Sequence, residues 1–178
     1  MREIIRFAWG ISSLGDFVVA MSDKGLVALE FSSQRAAMED ALRSRFPDAE
    51  LEHDQTALAG VLDAAAGLID DPAIGSDLPL DLRGTPYEVR VWQMLRDISA
   101  GETTNYGALA ARLGTRDARE VTVAIASNPL AIVVPCHRVI KKDGSISGYR
   151  WGVQRKRVLL AREQRAHGLG AEPRSEAR

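Results

Sequence analysis

The chain reads as an α+β protein in two parts: an antiparallel β-meander with helices, then a helical half built on a helix-turn-helix. Three observations predict this. Residues 1–31 alternate apolar and polar positions with the period of strands. From residue 34 the apolar spacing changes to that of helices. Residues 70–86 collect turn formers between the two parts. The boundaries expected are 1–80, 81–166, and a disordered tail over 167–178.

In the first strand Ile5, Phe7 and Trp9 share a face. Residues 17–20 make a second, and Val27, Leu29 and Phe31 share a face of a third. Gly15-Asp16 and Asp23-Lys24-Gly25 supply the turns. Met38, Leu42 and Phe46 then mark a helix over 34–46, stopped by Pro47. Leu58, Val61, Leu62, Ala65, Leu68 and Ile69 mark another. After the connection, Thr85 is an N-cap and Pro86 a first-turn residue for a helix carrying Val91, Trp92, Leu95 and Ile98. Thr103 or Thr104 caps a helix to Leu113, which Gly114 ends. Only Thr115-Arg116-Asp117 separates it from a helix over Ala118–Ala126. Lys141-Lys142-Asp143-Gly144 reads as a basic wing. A last helix over 152–164 turns Val153, Leu159 and Leu160 inward and Arg155, Lys156, Arg157, Arg162 and Arg165 outward.

Composition narrows the function. The lone cysteine, Cys136, excludes an intrachain disulfide framework and suits a reducing cytosol. With only His53, His137 and His167 beside it, scattered, no metal site is expected. No apolar run is long enough to span a bilayer. The net charge of −1 hides an asymmetry: residues 1–83 hold 7 Lys/Arg against 15 Asp/Glu, and residues 84–178 hold 16 against 9. A half with a net of +7 points to a polyanion as partner. An uneven but merely solvated surface is the alternative.

The chemistry concentrates at 128–140. Leu130–Val134 reads as a short buried strand that Pro135 ends, with Cys136 presented beside His137 and Arg138. Two neighbouring cations favour a thiolate, so Cys136 is a candidate nucleophile rather than a buried structural thiol. His137, next to it on an extended segment, would point away from the sulfur and reach it better through a water.

Pro135-Cys136-His137-Arg138-Val139-Ile140 resembles the reactive-cysteine signature of the O6-alkylguanine-DNA alkyltransferases, single-turnover DNA repair proteins. Gly101 to Tyr106, Asn128-Pro129, and Ser147 to Gly152 lie at the same family's spacings. The resemblance is strong over residues 82–163. It implies a ribonuclease H-like first domain and a winged-helix second domain. The implied reaction is irreversible transfer of an alkyl group from O6 of guanine in duplex DNA, less readily from O4 of thymine, to Cys136. No cofactor and no second subunit are implied. His137 acts as base through water, oriented by Glu163, and Asn128 braces the reactive segment. Tyr106 donates to guanine N3, the Cys136 and Val139 carbonyls take the amino group, and the Arg150 N–H faces O6. Tyr149 walls the pocket, with Trp151 narrowing it. Arg119 replaces the flipped nucleotide, with Arg116, Arg138 and Lys142 as further DNA contacts. Counting forward from Tyr106 leaves Arg119 one residue short, which places a deletion in the turn. Glu120 and Thr122 stand where relatives carry small residues. Rival readings are a non-catalytic binder of alkylated DNA, which would lack the cysteine, and a helix-turn-helix regulator. A cysteine hydrolase is a third, without a visible oxyanion-hole signature.

Overall fold

The computed structural model describes residues 1–146 and 148–170, with side chains through 168. Strands β1 (Glu3–Ser12), β2 (Gly15–Met21) and β3 (Leu26–Phe31) form the expected antiparallel meander. A fourth strand, β4 (Ala49–His53), has no counterpart in the sequence expectation. It pairs parallel to β1, giving the order β3-β2-β1-β4. Helix α1 (Arg35–Arg45) covers one sheet face, with its Leu42 and the following Phe46 clustered with Ile5, Phe7, Trp9 and Ala28. Helix α2 (Ala59–Asp70) packs on the other.

One face assignment changes. Ala20 pairs with Ala28 but Met21 pairs with Leu26, so Val27 is the extra residue of a bulge. The bulge turns Val27 toward the α1 side, away from Leu29 and Phe31.

The free edge of β3 joins the two parts. Leu26 N–H donates to Pro79 O (2.8 Å) and Asp81 N–H returns to Leu26 O (2.9 Å). Gly25 makes this approach possible: at φ +151° a Cβ there would lie 2.6 Å from the Pro79 carbonyl. Further along the edge, Leu29 N–H donates to Pro129 O (2.9 Å) and Ala131 N–H to Leu29 O (2.8 Å). The stretch leading into Cys136 is therefore bonded to the sheet, and it covers an edge that would otherwise stay open. One apolar core runs through from Phe17 and Leu29 to Trp92, Val121, Leu130, Cys136 and Leu159.

Thr85 caps α3 (Pro86–Leu95) in a reciprocal box with Glu88. Asn105, not Thr103 or Thr104, caps α4 (Tyr106–Leu113): it is the last residue of β5 (Thr104–Asn105), and its side chain accepts from Ala108 N–H (2.8 Å). Gly114 ends α4 in the left-handed region, and Asp117 caps α5 (Ala118–Ala126). Strand β6 (Val139–Ile140) pairs parallel to β5. The turn after it closes tightly, Lys141 N–H to Ser145 O at 3.0 Å. Helix α6 runs Val153–Gly170, past the expected end and through the first residues assigned to the tail. Its last turns dock on the 99–102 loop, where Gln164 Nε2 donates to Gly101 O (2.9 Å) and the His167 ring lies against Gly101. The rest of the expected tail, 171–178, lies outside the described residues.

Candidate active site

Asn128 follows α5, is fully buried, and organises the segment ahead of Cys136. Its Oδ1 accepts from Leu130 N–H (2.8 Å), while Nδ2 donates to Val134 O (2.9 Å) and lies 3.3 Å from Cys136 Sγ. Residues 130–134 are buried as expected but are not a strand. Leu130 bridges to Leu29, then the chain turns back so that Val134 N–H meets Leu130 O (3.0 Å). The turn places Ile132 at φ +70°, a conformation costing about 1–3 kcal/mol for a side-chain-bearing residue. Burial of Ile132 and the Asn128 bonds hold it there. A β-branched apolar run suits a clamped buried turn as well as a strand, which is why periodicity misassigned it.

Cys136–Arg138 form a 3-10 turn, not an extended segment, and it turns His137 and Arg138 onto one carboxylate of α6. His137 Nε2 lies 2.8 Å from Glu163 Oε2, and Arg138 contacts Glu163 through Nε (3.0 Å) and Nη2 (2.5 Å). Burial alone would raise the Glu163 pKa, but hydrogen bonds from His137 and Arg138 bring it below the ordinary value. Glu163 is therefore ionised and accepts the Nε2 proton, which leaves His137 Nδ1 as the basic nitrogen. Nδ1 is buried with no protein hydrogen-bond partner among the described residues, as a nitrogen served by a water would be. Burial also pushes the His137 pKa down, so the ring is neutral near pH 7.

The Cys136 thiol is pushed up to about 11 by burial, against the pull of Asn128, Lys156 and Arg150. At rest it is a protonated thiol that needs a base. Lys156 was expected on the outer face of α6, yet it is fully buried. Its Nζ donates to Val139 O (2.6 Å) and Gly148 O (3.2 Å), and burial lowers its pKa to about 8. The one sequence signal for this is the helical stripe that Lys156 shares with Leu159, Leu160 and Glu163.

The sulfur opens into a cleft of about 480 Å³ lined by Tyr106, Thr122, Ile125, Ala126, Tyr149 and Arg150. Tyr106 is the first residue of α4, and Tyr149 comes from the 148–152 loop. Among the described residues no group of three or more His, Cys, Asp or Glu side chains could hold a metal ion.

Comparison with known proteins places this arrangement. A family model described as the DNA-binding domain of 6-O-methylguanine DNA methyltransferase matches residues 86–165. A Salmonella typhimurium methylated-DNA–protein-cysteine methyltransferase is 39% identical over 150 residues, covering 83% of this chain and 88% of its own. The chain belongs to the methylated-DNA–protein-cysteine methyltransferase family. The Escherichia coli bifunctional transcriptional activator and DNA repair enzyme Ada is 39% identical over 160 residues, 89% of this chain but only 45% of Ada. The chain thus spans about half the length of that relative. A solved Mycobacterium tuberculosis OGT in complex with DNA superposes with a TM-score of 0.76 at 33% identity, covering 90% of this chain and 93% of that one.

Two expected site positions need correction. Arg138 does not face DNA: it is buried, tied to Glu163 and to Ile98 O (2.6 Å), and so holds the carboxylate that orients His137. Trp151 is buried behind the cleft wall rather than in it, edge-on to Tyr149 with ring centroids 5.2 Å apart. Two arginines of α6 expected outward instead stitch the halves together, Arg155 to Leu14 O (2.8 Å) and Arg162 to Ile69 O (2.6 Å). Arg116, in the turn between α4 and α5, and Lys142, in the 141–145 turn, are exposed. Arg119 stands at the start of α5, its side chain 91% exposed and paired with Asp117 (3.1 Å). Thr122 lies one helical turn further along and reaches the cleft, whereas Arg119 and Glu120 both line a separate groove beside Tyr87 and Val123.

Proposed function

We propose that the protein removes the alkyl group from O6 of guanine in duplex DNA by transferring it to Cys136, once per molecule. The observation that carries this reading is a buried thiol at the end of an open cleft, with a neutral histidine and an ionised glutamate behind it. The thiol gives its proton, through a water, to His137 Nδ1. The sulfur attacks the alkyl carbon, the S–C bond forms as the C–O6 bond breaks, and the electron pair stays on the guanine. Tyr106 relieves that charge by donating to N3. The Val139 carbonyl, which also accepts from Lys156 Nζ, takes the amino group with its second lone pair, together with the Cys136 carbonyl. A thioether does not hydrolyse, so the protein is consumed.

The base must leave the duplex to enter the cleft. We assign Arg119 to the gap it leaves, α4–turn–α5 with the 141–145 turn to a winged-helix unit, and Arg116 and Lys142 to the phosphates. A reactive thiol of this kind suits a reducing cytosol, where its DNA lies. The test is stoichiometry. A duplex oligonucleotide bearing O6-methylguanine, in excess over protein, should lose one equivalent of methylated base and no more. Conversion beyond one equivalent, or none, overturns the reading.

A further inference from the structure

Every residue of β3 is buried, and one of them is a carboxylate. Glu30 is 1% exposed, a placement that is strongly unfavourable unless countercharges come with it. Two guanidinium groups meet it. Arg45, at the end of α1, reaches Oε2 at 2.8 Å, and Arg150 reaches Oε1 at 2.9 Å from the loop beside the cleft. The first contact is internal to the sheet and its covering helix. The second crosses to the other half of the molecule.

Arg150 does more than neutralise Glu30. Its Nη1 donates to Ser127 O (3.1 Å) and Asn128 O (3.0 Å) at the end of α5, where free carbonyls favour a cation. The guanidinium also lies 5.4 Å from the Trp151 ring centroid. Asn128 in turn reaches the Cys136 sulfur, and Tyr149, next to Arg150, walls the cleft. An unbroken series of contacts therefore runs Glu30–Arg150–Asn128–Cys136. The neighbouring residue Leu29 grips Pro129 and Ala131 through its backbone. Strand β3 thus holds the reactive segment by one residue and the opposite cleft wall by the next.

We infer that Glu30 is a positioning residue for alkyl transfer: acting through Arg150, it fixes the 148–152 loop against the end of α5 and so sets the cleft around Cys136. This rests on the transfer reading above. It assigns the first half a part in the chemistry that its lack of reactive groups conceals.

The test compares single-exponential transfer rates at saturating substrate in four full-length variants: Glu30→Gln, Arg150→Gln, the double variant and Arg45→Gln. Two substrates are used, a methylated duplex and free O6-benzylguanine. Misplacing a cleft wall slows the bound step on both, and Glu30→Gln is expected to lose about 10- to 100-fold. The double variant should be no slower than the slower single one, since both break the same contact. Arg45→Gln, which touches the same carboxylate without touching the loop, should keep the wild-type rate while lowering Tm. Amide hydrogen exchange over 148–152 should quicken in Glu30→Gln and Arg150→Gln and stay unchanged in Arg45→Gln. If Glu30→Gln does not fold, Glu30→Asp replaces it, keeping the charge but withdrawing it from Arg150. A wild-type rate in the folded Glu30 variant, or rate losses that add in the double variant, overturns the inference. Failure of the wild type to react at all would instead overturn the transfer reading.

Discussion

Replacing Glu163 by glutamine removes one charge and almost no volume from the carboxylate that both His137 and Arg138 contact. Two effects follow from the geometry. Arg138 has only donors to offer, and its Nε and Nη2 meet the same Oε2 that His137 Nε2 meets, so the amide oxygen takes that place and serves both. An uncharged oxygen shared with Arg138 accepts the Nε2 proton more weakly than the carboxylate does, so Nδ1 becomes a poorer base. General-base assistance contributes about 10²–10⁴-fold, and a loss in that range is expected in the transfer rate. The same substitution leaves the Arg138 guanidinium without its buried countercharge, a deficit of about 3–5 kcal/mol when one partner of such a pair is removed. At about 2–4 °C per kcal/mol for a chain of this size, Tm should fall by about 6–20 °C. The assay is quenched single-turnover transfer from a methylated duplex, run well below the lowered Tm, with circular dichroism confirming the fold. A folded Glu163→Gln protein reacting at the wild-type rate would refute the orienting role.

Arg119→Ala should slow repair of duplex DNA far more than reaction with free O6-benzylguanine, which needs no flipping; equal slowing of both would remove Arg119 from the gap. Arg116→Ala should weaken duplex binding evenly and lower the salt slope by about one unit, read from titrations over a range of salt. The transfer rate should stay level from pH 7 down through the ordinary histidine range, because burial holds the His137 pKa below its usual value, and fall only at lower pH as the ring becomes protonated. A rate that instead climbs steadily from pH 7 to 9 would show that the thiol ionises without His137. Trp151→Ala should cost about 3–5 kcal/mol in denaturant unfolding through lost packing, and any gain with bulky alkyl groups should come only through a loosened Tyr149.

Local signals carried much of the fold. The meander, α1 and α2, the Thr85 cap, the Gly114 stop and the bounds of α5 each follow from a few adjacent residues. What escaped depended on distant partners. Strand β4, Ala-Glu-Leu-Glu-His, is a half-exposed edge whose strand state comes from parallel pairing with β1. The Val27 bulge is a matter of register between strands. In the site, Cys136, His137, Asn128 and Glu163 were legible because the resemblance fixes them, and the structure brings all four together. Arg138, Lys156, Arg155 and Arg162 were misplaced for one shared reason. A basic residue reads as surface until its buried acceptor is known, and those acceptors are Glu163, the Val139 carbonyl, the Leu14 carbonyl and the Ile69 carbonyl. Glu30 passed unnoticed in a strand for the same cause.

The central claim is that Cys136 receives the alkyl group, and one measurement meets it directly: intact-mass analysis with peptide mapping after incubation with an O6-methylguanine duplex. The protein should gain the mass of a single methylene, carried by the peptide containing Cys136, while Cys136→Ser binds the duplex and gains nothing. An unchanged wild-type mass with the oligonucleotide still methylated, or a methyl group on any other peptide, would contradict it.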